Sequence, residues 1–250
     1  MVGVLPEQRP QLGPKRSTRQ TIHAIQRWLG SGLELLFPIQ CVGCQTPGSI
    51  WCSNCAAALE RFSEPFCGNC GLALGGWSAC PSCRRRKPVL AVRSYARYTG
   101  RLVQALLHLK YRPDLKLASV MADWLTGLYR PSEWQASLVV PVPLSPSRFQ
   151  RRGFNQAELL AHGLAQRLEL PMAAAQLSRV RETRSQVGLD PSERSLNVKG
   201  AFAARRGAFA GEAVLLVDDL YTTGATLAAC AQAVLADGGG PVWGLTVGRA

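Results

Sequence analysis

Ala213-Val-Leu-Leu-Val-Asp218-Asp219-Leu-Tyr-Thr222-Thr223-Gly224-Ala225-Thr226-Leu227 is the stretch that decides how this chain is read. Its opening residues, Ala213 to Val217, are apolar and short, as in a buried strand of a parallel sheet. Two adjacent carboxylates follow, then small hydroxyl residues around one glycine. Leu227, Cys230, Ala231, Val234 and Leu235 recur at the spacing of one helix face. Asp237-Gly238-Gly239-Gly240 ends that helix as C-cap glycines do.

A loop of this kind at the mouth of a helix is an anion site. Its backbone N–H groups are unpaired, the helix N-terminus carries about half a positive charge, and threonine hydroxyls add donors. Gly224 lets a phosphate approach the backbone. Asp218 and Asp219 share the phosphate's sign, so they suit vicinal hydroxyls or, through water, a magnesium ion. Phosphate donors beside diol acceptors describe a ribose 5-phosphate. A Walker A loop is excluded, because it needs Gly-Lys-Ser/Thr.

The chain of 250 residues has room for one large domain and a small one, and its 47% apolar content supports a real core. No apolar run approaches the roughly 18 residues of a membrane span. The first twenty residues lack the apolar core of a signal peptide, which points to a cytoplasmic protein with a basic start. Net charge is +13. Residues 1–100 hold 12 Lys/Arg against 4 Asp/Glu, so the excess concentrates there. Such a surface suits polyanions, including single-stranded DNA, although solubility alone also explains it.

Ile22, Ile25, Trp28, Leu29, Leu33, Leu36 and Phe37 follow helical spacing up to Pro38. That amphipathic helix packs on its own protein or lies peripherally on a membrane. Eight of the nine cysteines form four Cys-x-x-Cys pairs: Cys41/Cys44, Cys52/Cys55, Cys67/Cys70 and Cys80/Cys83. Two such knuckles complete a tetrahedral Zn–S₄ site, so about two structural zinc ions are expected, paired sequentially or interleaved. A disulfide framework would need a secretory context. Cys230 lies on the apolar helix face and reads as core. Arg84-Arg85-Arg86-Lys87 is a linker or a nucleic-acid contact.

Beyond Pro88 the pattern alternates between strand and helix. Val89 to Ala96 reads as a strand, and Leu102 to Tyr111 and Leu117 to Leu128 as helices. Ser137 to Leu144 is a second buried strand, followed by a basic loop through Arg148, Arg151 and Arg152. Asn155 with Glu158 resembles a capping box that opens another helix. The stretch from Arg179 to Lys199 lacks periodicity and is long enough for a lid. Val242 to Val247 is the last strand. Three segments follow: a basic start at 1–20, a helix with a double zinc ribbon at 21–88, and an open α/β sheet flanked by helices at 89–250.

The string Val217 to Thr226 resembles the 5-phosphoribosyl 1-pyrophosphate (PRPP) motif of type I phosphoribosyltransferases. With the zinc knuckles, Leu109-Lys-Tyr, Pro141-Val-Pro-Leu and Arg151-Arg-Gly-Phe-Asn-Gln156, the chain resembles the ComF (GntX-like) competence family from about Trp28 onward. The resemblance implies a type I phosphoribosyltransferase fold behind a four-cysteine zinc-ribbon module. It implies that Asp218 and Asp219 hold the ribose hydroxyls and that Thr222, Thr223, Gly224, Ala225 and Thr226 bind the 5′-phosphate. Pro141, Val142 and Pro143 would form the pyrophosphate loop, and the segment with Arg181 and Arg184 the mobile loop. Arg151, Arg152 and a lid arginine, with Arg181 and Arg184 among the PRPP-binding candidates, would contact the pyrophosphate, and Arg152 would stand beside the aspartates in catalysis. The reaction would be a Mg²⁺-dependent loss of pyrophosphate through an oxocarbenium-like centre. Competence proteins also imply DNA uptake, with single-stranded DNA and the uptake machinery as partners. No base-binding segment is recognisable after the motif.

Overall fold

The computed structural model describes residues 38–62, 65–75, 80, 83, 89, 91–183 and 190–250. The helix expected at 22–37, the basic start and the run at 84–87 lie outside the described residues, as does Arg184. Among the described residues, no helix is long and apolar enough to cross a membrane.

Four parallel strands make the central sheet, in the order β1 (Ala91–Arg97), β6 (Val242–Arg249), β5 (Val214–Tyr221) and β2 (Leu138–Pro141). β5 is paired on both edges, with Val217 opposite Pro141 on one side and Leu245 on the other. Leu215 and Val217 pack into one core, and Val214 and Leu216 into another on the opposite face. Burial on both faces is why the strand reads as an unbroken apolar run.

Helices α2 (Gly100–Tyr111), α3 (Leu115–Tyr129) and α5 (Gln156–Leu168) cover the first face through Leu106, Leu125, Leu160 and Leu164. Helix α7 (Ala225–Ala236) covers the second through Leu227, Cys230 and Val234. A small antiparallel sheet of β3 (Leu177–Arg179) and β4 (Phe202–Ala204) joins the second core. This is the open parallel α/β sheet flanked by helices that the alternation predicted.

Four local expectations need correction. β5 does not stop at Val217 but runs through both aspartates to Tyr221, because β6 continues to pair with it as far as Arg249. The basic loop after β2 is a helix, α4 (Pro146–Arg152), bounded by Pro146 and Gly153. It buries no residue, so it shows no apolar period. Within the expected lid, α6 (Pro191–Val198) is helical, opened by reciprocal bonds between Asp190 and Glu193: each backbone N–H donates to the other's carboxylate at 2.8 Å. Leu235 is exposed rather than part of the buried face of α7.

The cysteine-rich segment covers the free edge of β1. It includes one short helix, α1 (Ser53–Ala57). Val92 N–H donates to Asn69 O at 2.6 Å and Arg97 N–H to Glu60 O at 2.8 Å, with a bridge between Arg61 and Ala96. Trp124 of α3 stacks on Tyr95 at 4.8 Å and meets Trp51 edge-on at 5.5 Å. An exposed edge of this kind would invite pairing with another chain, and the ribbons remove it.

Gly71 makes the closest of these approaches. It stands at φ +69°, and a Cβ there would come within 2.6 Å of the Val92 carbonyl oxygen. Gly71→Ala is expected to cost about 1–3 kcal/mol through strain at that position. Urea unfolding measures it, and a variant as stable as the parent would show that the knuckle is not held on β1.

Candidate functional site

The cysteines gather as two four-thiol clusters, Cys41/Cys44/Cys52/Cys55 and Cys67/Cys70/Cys80/Cys83, so the sequential pairing is the one formed. None of the nine cysteines is in a disulfide. Sulfur separations are 3.6 Å for Cys41–Cys55 and Cys44–Cys52, 3.7 Å for Cys67–Cys83 and 3.6 Å for Cys70–Cys80. Four thiolates around a zinc ion at about 2.3 Å stand about 3.8 Å apart, so both clusters fit the ion. All four positions of each site are protein ligands, which makes the metal structural. Cys52→Ser or Cys70→Ser is expected to leave one zinc per chain and loosen its ribbon. Elemental analysis of protein purified under reducing conditions measures the count, and a chain without zinc overturns the assignment.

The second constellation lies at the carboxyl end of the sheet, where open α/β folds bind ligands. β5 carries Asp218 and Asp219 there, and Gly224 ends the following loop as the N-cap of α7. Gly224 stands at φ +77°, and a Cβ on it would lie 2.7 Å from Tyr221 Cζ. The glycine is therefore required by the ring beneath it as well as by the loop's own path. Thr223 Oγ1 accepts from Ala225 N–H at 3.4 Å, and Thr222, Ala225 and Thr226 keep partial exposure at the helix mouth.

The strand ends beside it are tied together. Val142 N–H donates to Val217 O at 2.9 Å, which fixes the turn through Pro141, Val142 and Pro143 against β5. Asn155 caps α5 by accepting from Ala157 N–H at 3.1 Å, and its Nδ2 donates to Val142 O at 3.0 Å. The reciprocal bond expected from Glu158 is not made among the described residues. Asn155 links turn to helix instead.

Charges of both signs converge on this end. Lys110 Nζ of α2 lies 3.7 Å from Asp219 Oδ2, a buried oxygen that has no hydrogen-bond partner. Arg152 stands 5.7 Å over the Tyr111 ring and donates to Gln156 Oε1 at 3.0 Å. Burial first, then Arg148 and Arg151, pull Arg152 below the usual arginine value, with Asp219 opposing them. Arg179 of β3 is buried and held low by burial and then by Arg148, with Asp218 among the charges opposing that. Arginines do not lose their proton, so this mutual repulsion persists and favours an added anion.

Sequence reasoning places Asp218, Asp219, Arg151 and Arg152 at this end and misses Arg179. Lys110 and Tyr111 enter it only as part of a family-like string. Arg179 leaves no signal to find, because a lone arginine in a three-residue strand makes no pattern. Arg181 is not brought to the aspartates: its Nη2 donates to Asn197 O at 3.0 Å and Lys199 O at 2.7 Å, fastening its own segment. His108 is structural, lying 3.1 Å from Asp114 Oδ2.

Asp218 is half-buried by surface yet packed round by protein. Burial first, then the neighbouring Asp219 charge, hold its carboxyl well above the ordinary carboxylate range. Folding therefore favours protonated Asp218. That stability is fully present below the ordinary value near pH 4 and is lost as pH rises through the raised native value. Asp218→Asn is expected to melt roughly 2–4 °C above the parent at pH 8, with the gap closing toward pH 4. A variant that melts lower at pH 8 would contradict the burial argument.

Residues 32–84 match the double zinc ribbon domain family. Competence protein F of Haemophilus influenzae is 31% identical over 207 residues, which cover 76% of this chain and 88% of that one. DNA utilization protein YhgH of Salmonella typhi is 34% identical over 224 residues, covering 83% of this chain and 96% of its own. Among solved structures, the glutamine phosphoribosylpyrophosphate amidotransferase of B. subtilis is similar over 56% of this chain and 30% of its own, at 21% identity and a TM-score of 0.38. That last likeness is too distant to bear on the chemistry of the site. The identity and coverage shared with competence protein F and with YhgH place this chain in the ComF competence family.

Proposed function

We propose that the chain binds PRPP with Mg²⁺ as a phosphoribosyltransferase-like protein that serves DNA uptake or nucleotide metabolism. One observation carries the reading: two carboxylates and a helix N-terminus capped by Gly224 share one strand end, with Lys110 and Arg152 among the basic side chains near them. In this reading Asp218 and Asp219 take the ribose 2′- and 3′-hydroxyls, and the loop of Thr222, Thr223, Gly224, Ala225 and Thr226 takes the 5′-phosphate. The turn through Pro141, Val142 and Pro143 faces the pyrophosphate. Arg151, Arg152 and, in addition, Lys110 and Arg179 offset its charge. Arg181 would have to release the Asn197 and Lys199 carbonyls to join them. Arg184 remains part of the lid hypothesis.

Magnesium fits this donor set, because Asp219 presents a buried carboxylate oxygen with no hydrogen-bond donor on it. When bound, the ion would neutralise the pyrophosphate as it departs. The chain's own residues orient the ribose and hold the positive charge that receives the leaving group.

A second reading is a non-catalytic accessory factor that binds single-stranded DNA at the same end. Two observations favour it. The relatives are named for competence and DNA utilization. Tyr111 is 70% exposed and Phe149 48% exposed, beside Arg148, Arg151 and Arg152. Exposed rings among arginines suit stacking of unpaired bases.

Calorimetry of the unmodified protein with PRPP and Mg²⁺ separates the two. Asp218→Asn and Asp219→Asn are each expected to weaken PRPP roughly ten- to a hundredfold, the worth of a charge-assisted hydrogen bond. Lys110→Met should weaken pyrophosphate more than ribose 5-phosphate. Gly224→Val should abolish binding and also destabilise the fold, because its side chain meets Tyr221. No heat at millimolar PRPP, together with retained single-stranded DNA binding, would leave the second reading alone.

A further inference from the structure

Arg249 ends β6 and is 8% exposed. Its Nη1 donates to the Cys70 carbonyl, and its Nη2 lies 3.8 Å from Cys70 Sγ. No carboxylate among the described residues pairs with it. A guanidinium kept from water needs an opposite charge nearby. A zinc dication with four thiolates is net dianionic, so the second cluster supplies that charge.

The other side of the same guanidinium faces Tyr221 at the carboxyl end of the sheet. Arg249 Cζ lies 4.5 Å over the ring of Tyr221, its partner across the β5–β6 pair. Tyr221 is 3% exposed, and its ring is the surface on which Gly224 rests. Tyr221 O also accepts from Ala250 N–H at 2.9 Å, which holds the two strand ends together. Zinc knuckle, arginine, tyrosine and loop glycine thus form one unbroken series of contacts.

We propose that Arg249 is a positioning residue coupling the second zinc site to the loop at 222–226. With zinc in place, the guanidinium is held by Cys70 and in turn fixes the Tyr221 ring, which sets the height and path of the loop backbone. Loss of that zinc removes the counter-charge, frees the arginine and loosens the loop. The second ribbon is then part of the ligand site rather than a remote scaffold. The coupling stands on geometry alone, and its consequence for phosphate rests on the PRPP reading above.

Hydrogen exchange read by mass spectrometry on the full, zinc-loaded chain tests it without any ligand. Arg249→Met removes the charge and keeps the bulk. Backbone amides of 222–226 should then exchange about tenfold faster while those of 214–217 stay unchanged, and one of the two zinc ions should leave faster to a chelator. Arg249→Lys should restore part of the loop's protection. Cys80→Ser, which removes the second ion, should reproduce the effect of Arg249→Met, and Cys44→Ser, which removes the first, should not. Unchanged loop exchange in both Arg249→Met and Cys80→Ser overturns the proposal. Equal acceleration across loop and strand also overturns it, since Arg249 would then serve stability only. Ribose 5-phosphate titrated separately into the unmodified protein decides the phosphate reading. Absence of binding there would overturn that reading while leaving the coupling to stand on the exchange result.

Discussion

β5 is held on both edges by parallel pairing, and that constraint places two like charges side by side at the mouth of the sheet. Neither carboxylate can turn far away, because the backbone that carries them is locked by its neighbours on each side. Asp219 leans toward Lys110 on the α2 side, and Asp218 sits near Cys230 on the α7 side. The Asp218 carboxyl is accordingly held above the ordinary carboxylate range by burial and then by the Asp219 charge. Basic side chains, Lys110 and Arg152 among them, gather at the same carboxyl end of the sheet.

The basic groups follow the same logic in reverse. Burial first, then the Arg148 charge, holds both Arg152 and Arg179 below the usual arginine value, and Arg151 adds to this for Arg152. Acidic strand end and basic rim are each unfavourable alone. Together they are the groups that the PRPP reading proposed above assigns to ribose hydroxyls and to pyrophosphate. The Tyr111 and Phe149 rings are exposed.

The zinc ribbons have a structural role that their own sequence does not suggest. A small four-cysteine module is usually read as an appendage, yet here it closes the edge of β1 and reaches into the first core through Trp51. Gln40 to Ala250 consequently pack as one unit. Metal binding supplies folding energy to a segment of this size, which has little core of its own. Arg249 joins the second ribbon to the carboxyl end of the sheet through its contacts with Cys70 and Tyr221.

Local sequence determined the cysteine knuckles, the strand from Val214, the helix from Ala225 and the cap at Asn155, since each depends on residue spacing within one or two turns. Position 218 is legible as an acceptor because the apolar run before it stops there. What the tertiary structure alone decided has a common cause: partners distant in sequence. Lys110 on α2 meets Asp219 on β5, Arg249 at the end of β6 meets Cys70 of the ribbon, and Arg179 on the separate β3–β4 sheet feels the Asp218 charge, all because folding brings helix, ribbon and both sheets to one place. α4 reads as a loop because it buries nothing, and a helix without a buried face prints no period on its sequence. Gly224 is explained in the sequence by its expected ligand, whereas the structure adds a second reason in the Tyr221 ring beneath it. The identity of the ligating and acidic residues is thus a property of the chain in one dimension. Their electrostatic balance is set by burial and by neighbours that only folding supplies.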